Sequence, residues 1–277
     1  MLTAHRLEFT LQALTPVALN EHQGAALRGA LYHALRGQER GPWGGFCAQK
    51  QLRACADCSL VAACPVATLV STLDRQAERG RDLPRPYLIE PPLDGRLHLA
   101  AGDRLTFGLT LFAQALQLFP YVILALKGLE EVGLGKRVAE LGWRRGRVRL
   151  VEAVATNPLT GARQPVLRPG QPTVQVPDIP VTHRQVLAAA ERLPAGRLTL
   201  EFLTPTRLVA QGRLVKAPEF GPLFHRLWQR LADLGREFAG AASDPEEGYR
   251  LVGLARQVRL VDDATRWVEL ESYSTRQ

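Results

Sequence analysis

Cysteine is missing from 259 of the 277 residues, because all four lie in one eighteen-residue stretch as Cys47, Cys55, Cys58 and Cys64. Lysine is scarce as well, with 31 of the 35 basic residues being Arg. The chain opens directly on strand-like alternation after Met1, with neither the apolar segment nor the small-residue cleavage site of an export signal. The expectation is a cytosolic protein with reduced thiols. Charge is absent from Leu105 to Leu126, the one stretch that needs testing as a membrane span. It fails, since Leu105, Phe107, Leu109 and Leu111 alternate at period two and Gln114, Gln117 and Pro120 interrupt the second half. A buried strand leading into a buried helix is predicted instead.

The cysteines have the spacing C-x7-C-x2-C-x5-C. Thiolates are soft ligands that close a tetrahedral shell around zinc, and the Cys55-Ala-Asp-Cys58 turn has the two-residue gap from which both sulfurs reach one ion. Four protein thiolates leave no open position, so such a zinc would be structural. An iron-sulfur cluster uses the same ligands; a pair of disulfides would need an oxidising compartment.

The formal charge of +8 and pI near 9.8 point to a polyanionic partner. Arg presents a planar fork that pairs with phosphate and stacks on bases, which suits nucleic acid. A GC-rich genome also enriches Arg, Ala, Gly and Pro, but it does not explain the net charge.

Along the chain, Arg6–Leu14 alternates as a half-buried strand, and Gly24–Gly37 reads as a helix with Leu27, Leu31, Ala34 and Leu35 on its core stripe. The cysteine segment is an insertion at about 38–82. Pro84–Pro92 is extended, Asp103–Phe112 a strand, Pro120–Glu131 a helix, Gly133–Gly146 a basic loop and Arg147–Ala155 a strand. Strand, helix, strand, strand, helix, strand is the order of the ferredoxin-like split βαβ arrangement. Residues 156–196 read as a Pro-rich linker ending in a short helix capped by Thr182 and Gln185. A second module spans 197–277, with strands at Arg197–Leu203, Leu251–Val261 and Arg266–Tyr273 and a helix marked by Phe220, Leu223, Phe224, Leu227, Leu231, Leu234 and Phe238.

GAALRGALYHALR, the four-cysteine segment ending Cys64-Pro, GLGKR, LEFLTPTRL, LWQRLADL and the closing ESYSTRQ, taken in that order, resemble the RAMP superfamily (repeat-associated mysterious proteins). Within it the chain is most similar to the CRISPR-associated endoribonucleases that process precursor CRISPR RNA. The resemblance implies an α+β protein of two tandem ferredoxin-like (RRM-like) βαββαβ domains, 1–155 and 197–277. The second ends short of the family's glycine-containing strand, helix and Gly-rich loop. It implies cleavage of CRISPR repeat RNA without a catalytic metal, and CRISPR effector subunits as further partners; it leaves room for a homodimer and calls for no membrane.

Such cleavage uses the 2′-hydroxyl as nucleophile and needs a general base, a general acid and cations near the phosphorus. Histidine is the usual proton carrier. Among His5, His22, His33, His98, His183 and His225, the leading candidate is His33, about 240° around the helix from Leu27 and on the polar side with Tyr32, Arg28 and Arg36. His22 precedes that helix, and Lys50 is a candidate cation. An ordinary solvated helix face would carry the same residue types. RNA contact is expected at Gly133, Gly135, Lys136, Arg137, Arg144, Arg145, Arg147 and Arg149, where glycines let a phosphate approach the backbone, with Trp143 either stacking on a base or packing as core. The rival readings are a non-catalytic RAMP subunit and a zinc-stabilised module binding DNA or protein.

Overall fold

The computed structural model describes residues 1–37, 43–52, 54–70 and 84–269. The part of the insertion at 71–83 and the closing strand beyond Glu269 lie outside them. The chain divides into two units, Leu2–Ala189 and Ala190–Gln277.

In the first unit, β1 (Ala4–Ala13), β2 (Val17–Ala18), α1 (Gln23–Arg36), α2 (Pro65–Val70), β3 (Tyr87–Glu90), β4 (His98–Leu99), β5 (Arg104–Phe112), α3 (Phe119–Val132), β6 (Leu134–Val138), β7 (Arg144–Gly146), β8 (Val148–Asn157), β9 (Ala162–Leu167) and α4 (His183–Ala190) succeed one another in order. One antiparallel sheet runs β3-β5-β1-β8-β9. Each helical crossover, β1-α1-β3 and β5-α3-β8, skips one strand, which is the split βαβ connectivity.

Period two in β1 sends Leu7, Phe9, Leu11 and Ala13 to one face, all essentially buried. Leu27, Leu31, Ala34 and Leu35 of α1 and Val122, Leu126 and Leu129 of α3 complete that core. Burying each large side chain stabilises the fold by about 1.5–3 kcal/mol. α3 begins with Pro120 in its first turn and ends at Gly133, whose φ of 77° directs the chain into β6.

The opposite face of the sheet carries charge instead. Arg6 donates to Glu90 Oε2 from Nη2 at 2.7 Å, to Glu8 Oε1 at 2.8 Å and to Thr156 Oγ1 at 2.7 Å, and Arg163 pairs with Glu8 at 2.8 Å. Gly108 makes room for this network, since a Cβ there would meet Glu90 Oε2 at 2.8 Å.

Two expectations for this unit are corrected. The segment from Gly133 to Gly146 is a hairpin, β6 with β7, rather than a loop. The supposed linker contributes β9, which extends the sheet beside β8, and Gln185 accepts from the Thr182 amide at 2.9 Å to start α4. Proline masked β9 in the sequence, but an edge strand tolerates Pro165 because only one side of its ladder is used.

The second unit holds a hairpin, β10 (Leu208–Ala210) with β11 (Arg213–Val215), and two helices, α5 (Phe220–Ala239) and α6 (Pro245–Ala255). Its hairpin turns at Gln211 and Gly212, both at positive φ. Two expected strands are absent from it. Arg197–Leu203 forms no strand, and its alternating Leu198 and Leu200 are exposed, because period two stabilises a strand only against a partner. Leu251–Val261 is not a strand either: its first half is α6. Asp244 caps that helix by accepting from the Glu246 amide, Pro245 sits in its first turn, and Glu246 and Glu247 meet its N-terminal dipole. Trp228 of α5 packs over Gly248 of α6, where a Cβ would meet its Nε1 at 2.6 Å. The described part of this unit is therefore not a second βαββαβ sheet.

Candidate nucleic-acid interface

The hairpin β6–β7 is pressed onto β2. A Cβ on Gly135 would collide with the Ala18 carbonyl, and one on Gly146 would strike the Pro16 carbonyl and Val17. The glycines of the GLGKR motif thus serve close packing within the protein, with Gly133 ending α3 and Gly135 lying on β2. What the hairpin offers outward is its side chains.

Arg137 pairs directly across from Arg145. Cross-strand partners share a face, and two like charges there are destabilising. No carboxylate among the described residues pairs with Lys136, Arg137, Arg144 or Arg145, whereas Arg147 and Arg149 are engaged by Glu130, at 3.9 Å and 2.9 Å. The Arg145 guanidinium is itself held below its ordinary pKa, by burial and then by Arg137.

His33 of α1 faces this arginine pair. Its imidazole is pushed below the ordinary value, first by burial, then by Arg145, Arg36 and Arg137. All of these favour the neutral imidazole, the form that accepts a proton. Tyr32 stands edge-on to it, ring centroids 5.3 Å apart. Arg36 donates to the Tyr32 hydroxyl at 2.9 Å and to the carbonyls of Lys50 and Leu52 at 2.8 and 2.7 Å. One turn before His33, a Cβ on Gly29 would meet nothing within 4 Å, so α1 is bare there.

His33, Tyr32, Arg36, Arg137 and Arg145 are thus brought together. His22 is not: it caps the other end of α1, about 16 Å from His33 at 1.5 Å per residue. Arg28 is exposed on α1, about 140° around the helix from His33. His98 lies on β4, His183 opens α4 and His225 is in the second unit.

Behind this surface, the cysteine segment is latched to the end of α1. Phe46 donates its amide to the Leu35 carbonyl at 2.8 Å, Trp43 Nε1 donates to the Ala34 carbonyl at 2.7 Å, and Phe46 stacks edge-on against Tyr121 at 5.3 Å. Cys47, Cys55, Cys58 and Cys64 line a single cavity with Tyr32, Arg36, Leu52 and Val66, and none is in a disulfide. The Cys55 thiol is pushed up by burial, pulled down by Arg36 and pushed up again by the other three sulfurs, so the four sense one another. As they stand, no three His, Cys, Asp or Glu side chains among the described residues are grouped closely enough to hold an ion. The donor set fits a soft metal, and the sulfurs would have to close inward to bind it.

Sequence reasoning missed the role of Glu130 in neutralising Arg147 and Arg149, although its place at the end of a helix before a basic segment was visible. It also missed Gly146, whose spacing from Gly135 matches two contacts with one underlying strand.

Fold and site define an α+β protein that sets a histidine on a helix against an unpaired arginine pair on a glycine-seated hairpin. The chain belongs to the family AF_1859_N, described as an N-terminal domain, whose model matches residues 2–179. No curated protein matches it. It is similar to a chain in the crystal structure of the Csm3-Csm4 subcomplex in the type III-A CRISPR-Cas interference complex, at 13% identity over 60% of this chain and 90% of that one, with a TM-score of 0.37. At that level of overlap the likeness carries no functional weight. No helix among the described residues is long and apolar enough to cross a membrane.

Proposed function

We propose that this protein is a CRISPR-associated RNA-binding protein of the RAMP type that cleaves CRISPR repeat RNA at the α1–hairpin surface. The observation that carries the reading is the uncompensated Arg137–Arg145 pair beside His33. A phosphodiester seated there offsets the like-charge repulsion. His33 in its neutral form takes the proton of the 2′-hydroxyl as it attacks phosphorus, Arg137 and Arg145 stabilise the added negative charge, and the Tyr32 phenol, held by Arg36, donates to a phosphate or leaving oxygen. The products are a 2′,3′-cyclic phosphate and a free 5′-hydroxyl. The tandem ferredoxin-like arrangement of the resemblance would need 197–203 and 251–261 to pair as strands, so the reading rests on the first unit. Four thiolates closing on zinc would lock the cysteine segment against α1.

The test is incubation of the full chain with end-labelled CRISPR repeat RNA, with and without EDTA. The expected result is one cut with a cyclic phosphate end, unchanged by EDTA. His33→Ala should lower the single-turnover rate about 100-fold or more with RNA affinity within a few fold. RNA bound but never cut by the unaltered protein favours the non-catalytic reading, which the separation of His22 from His33 along α1 also supports.

A further inference from the structure

The tip of the basic hairpin holds a conformation that the fold does not reward. After Val138 the chain makes a single tight turn over Ala139–Leu141, closed by bonds from the Gly142 amide to the Ala139 carbonyl at 2.9 Å and from the Trp143 amide to the Val138 carbonyl at 3.0 Å. That pattern places both Gly142 and Trp143 at positive φ, 64° and 58°. Glycine adopts this region freely; a bulky aromatic residue is an outlier there. The indole, moreover, is 70% exposed and stacks on no aromatic ring among the described residues, so neither core packing nor ring contact offsets the strain.

From Trp143 the chain runs directly into the arginines of the hairpin. Arg144 is next in the chain, and Arg145 lies two residues on, about 7 Å along a strand. Arg145 belongs to the unpaired arginine pair beside His33. An aromatic plane next to a phosphate-binding guanidinium pair is the combination with which proteins hold single-stranded nucleic acid, charge taking the backbone and the ring taking a base. A base within a duplex offers no free face to a side chain standing alone on a hairpin, whereas an unpaired one does.

We infer that Trp143 is a stacking platform for an unpaired nucleobase of RNA whose phosphate is held by Arg137 and Arg145. This rests on the RNA-binding reading above and adds to it that the strand at this hairpin is single. The ring is tolerant of base identity and demands only an exposed face.

The test compares the full chain with Trp143→Ala, Trp143→Phe and Arg145→Ala, measuring affinity for a single-stranded oligoribonucleotide and for the same sequence fully paired, across a salt series. Trp143→Ala should weaken single-strand binding about 5- to 150-fold with the salt dependence unchanged, because stacking releases no counterions. Trp143→Phe should stay within about threefold of the unaltered protein, since a ring remains. Arg145→Ala should flatten the salt dependence by about one ion. Trp143→Gly provides the stability readout: it relieves the positive φ, so its melting temperature should not fall even as single-strand binding does. If the unaltered protein binds single strands and Trp143→Ala binds them equally well, or if the loss is the same on the duplex, stacking on an unpaired base is overturned while the RNA reading stands. If the unaltered protein binds no RNA at all, both fall together.

Discussion

The decisive residue is His33, because its chemistry is set by its surroundings. Partial desolvation of the imidazole and three guanidinium groups all disfavour the cation, so in the free protein it titrates below the usual value near 6.5. Cleavage measured with enzyme well below saturation, where the rate reports the free protein, should therefore rise through the lowered pKa and be flat by neutral pH; an acid limb centred at or above 6.5 would contradict the placement of those arginines. His5 is depressed too, by burial against the partial compensation of Asp178, and its Nδ1 is buried without a hydrogen-bond partner among the described residues. For both groups the unfolded chain takes up protons first as pH drops. Stability should be full above about pH 6.5, decline below it through the interval down to the lowered pKa values, and then level off with respect to these groups. Thermal melts between pH 7.5 and 5 would show the decline, and His5→Asn should remove part of it. Of this chemistry the sequence displayed the helical side that His33 shares with Tyr32 and Arg36, since a helix has a fixed period. Its meeting with Arg137 and Arg145, more than a hundred residues away, depends on how the hairpin seats, which no local pattern carries.

At the scale of elements, the glycines of the hairpin separate seating from binding. Gly135→Ala sets a methyl against the Ala18 carbonyl at a φ of 85° and should cost about 1–3 kcal/mol, lowering the midpoint in urea and with it RNA affinity. Gly29→Ala, in the middle of α1 with open space around it, should instead add about 1 kcal/mol; any loss of RNA binding there would mark close approach of the ligand to the helix. A second element-level expectation concerns the cysteine segment, whose Lys50 and Leu52 carbonyls share Arg36 with Tyr32. If zinc is bound there, mass spectrometry of the native protein should find one equivalent, and Cys58→Ser should lower the melting temperature and impair cleavage more than binding. Strands and helices with a buried face, β1, α1, β5 and α3, were legible because burial enforces period 2 or 3.6. The β6–β7 hairpin was not, since facing arginines argue against pairing and glycines argue for a loop. In α6 the capping signals Asp244-Pro245-Glu246-Glu247 were present, and the three-residue spacing of Leu251 and Leu254 fits one face of a helix but opposite faces of a strand.

Across the whole molecule, burial is uneven. The first unit holds the continuous core, whereas among the described residues of the second the buried hydrophobic side chains are Leu234, Val252 and Ala255. Limited proteolysis should therefore cut within Ala190–Gln277 before Leu2–Ala189, and hydrogen exchange should be slowest in β1, β5 and β8; equal protection of both units would contradict this. On the charged face of the sheet Arg6, Glu8, Glu90 and Arg163 neutralise one another, whereas Arg137 and Arg145 on the hairpin have no carboxylate partner among the described residues. The β9 margin of the sheet governs how copies of the chain can meet. There Pro165 removes an amide donor, the Gln175 amide already donates to the Val166 carbonyl at 2.8 Å, and Gln164 is joined through its side chain to Val176 and Asp178. A neighbouring molecule offering a strand would find its place taken along that margin, so the protein carries its own safeguard against polymerising through β9, and a homodimer would have to be built on some other surface.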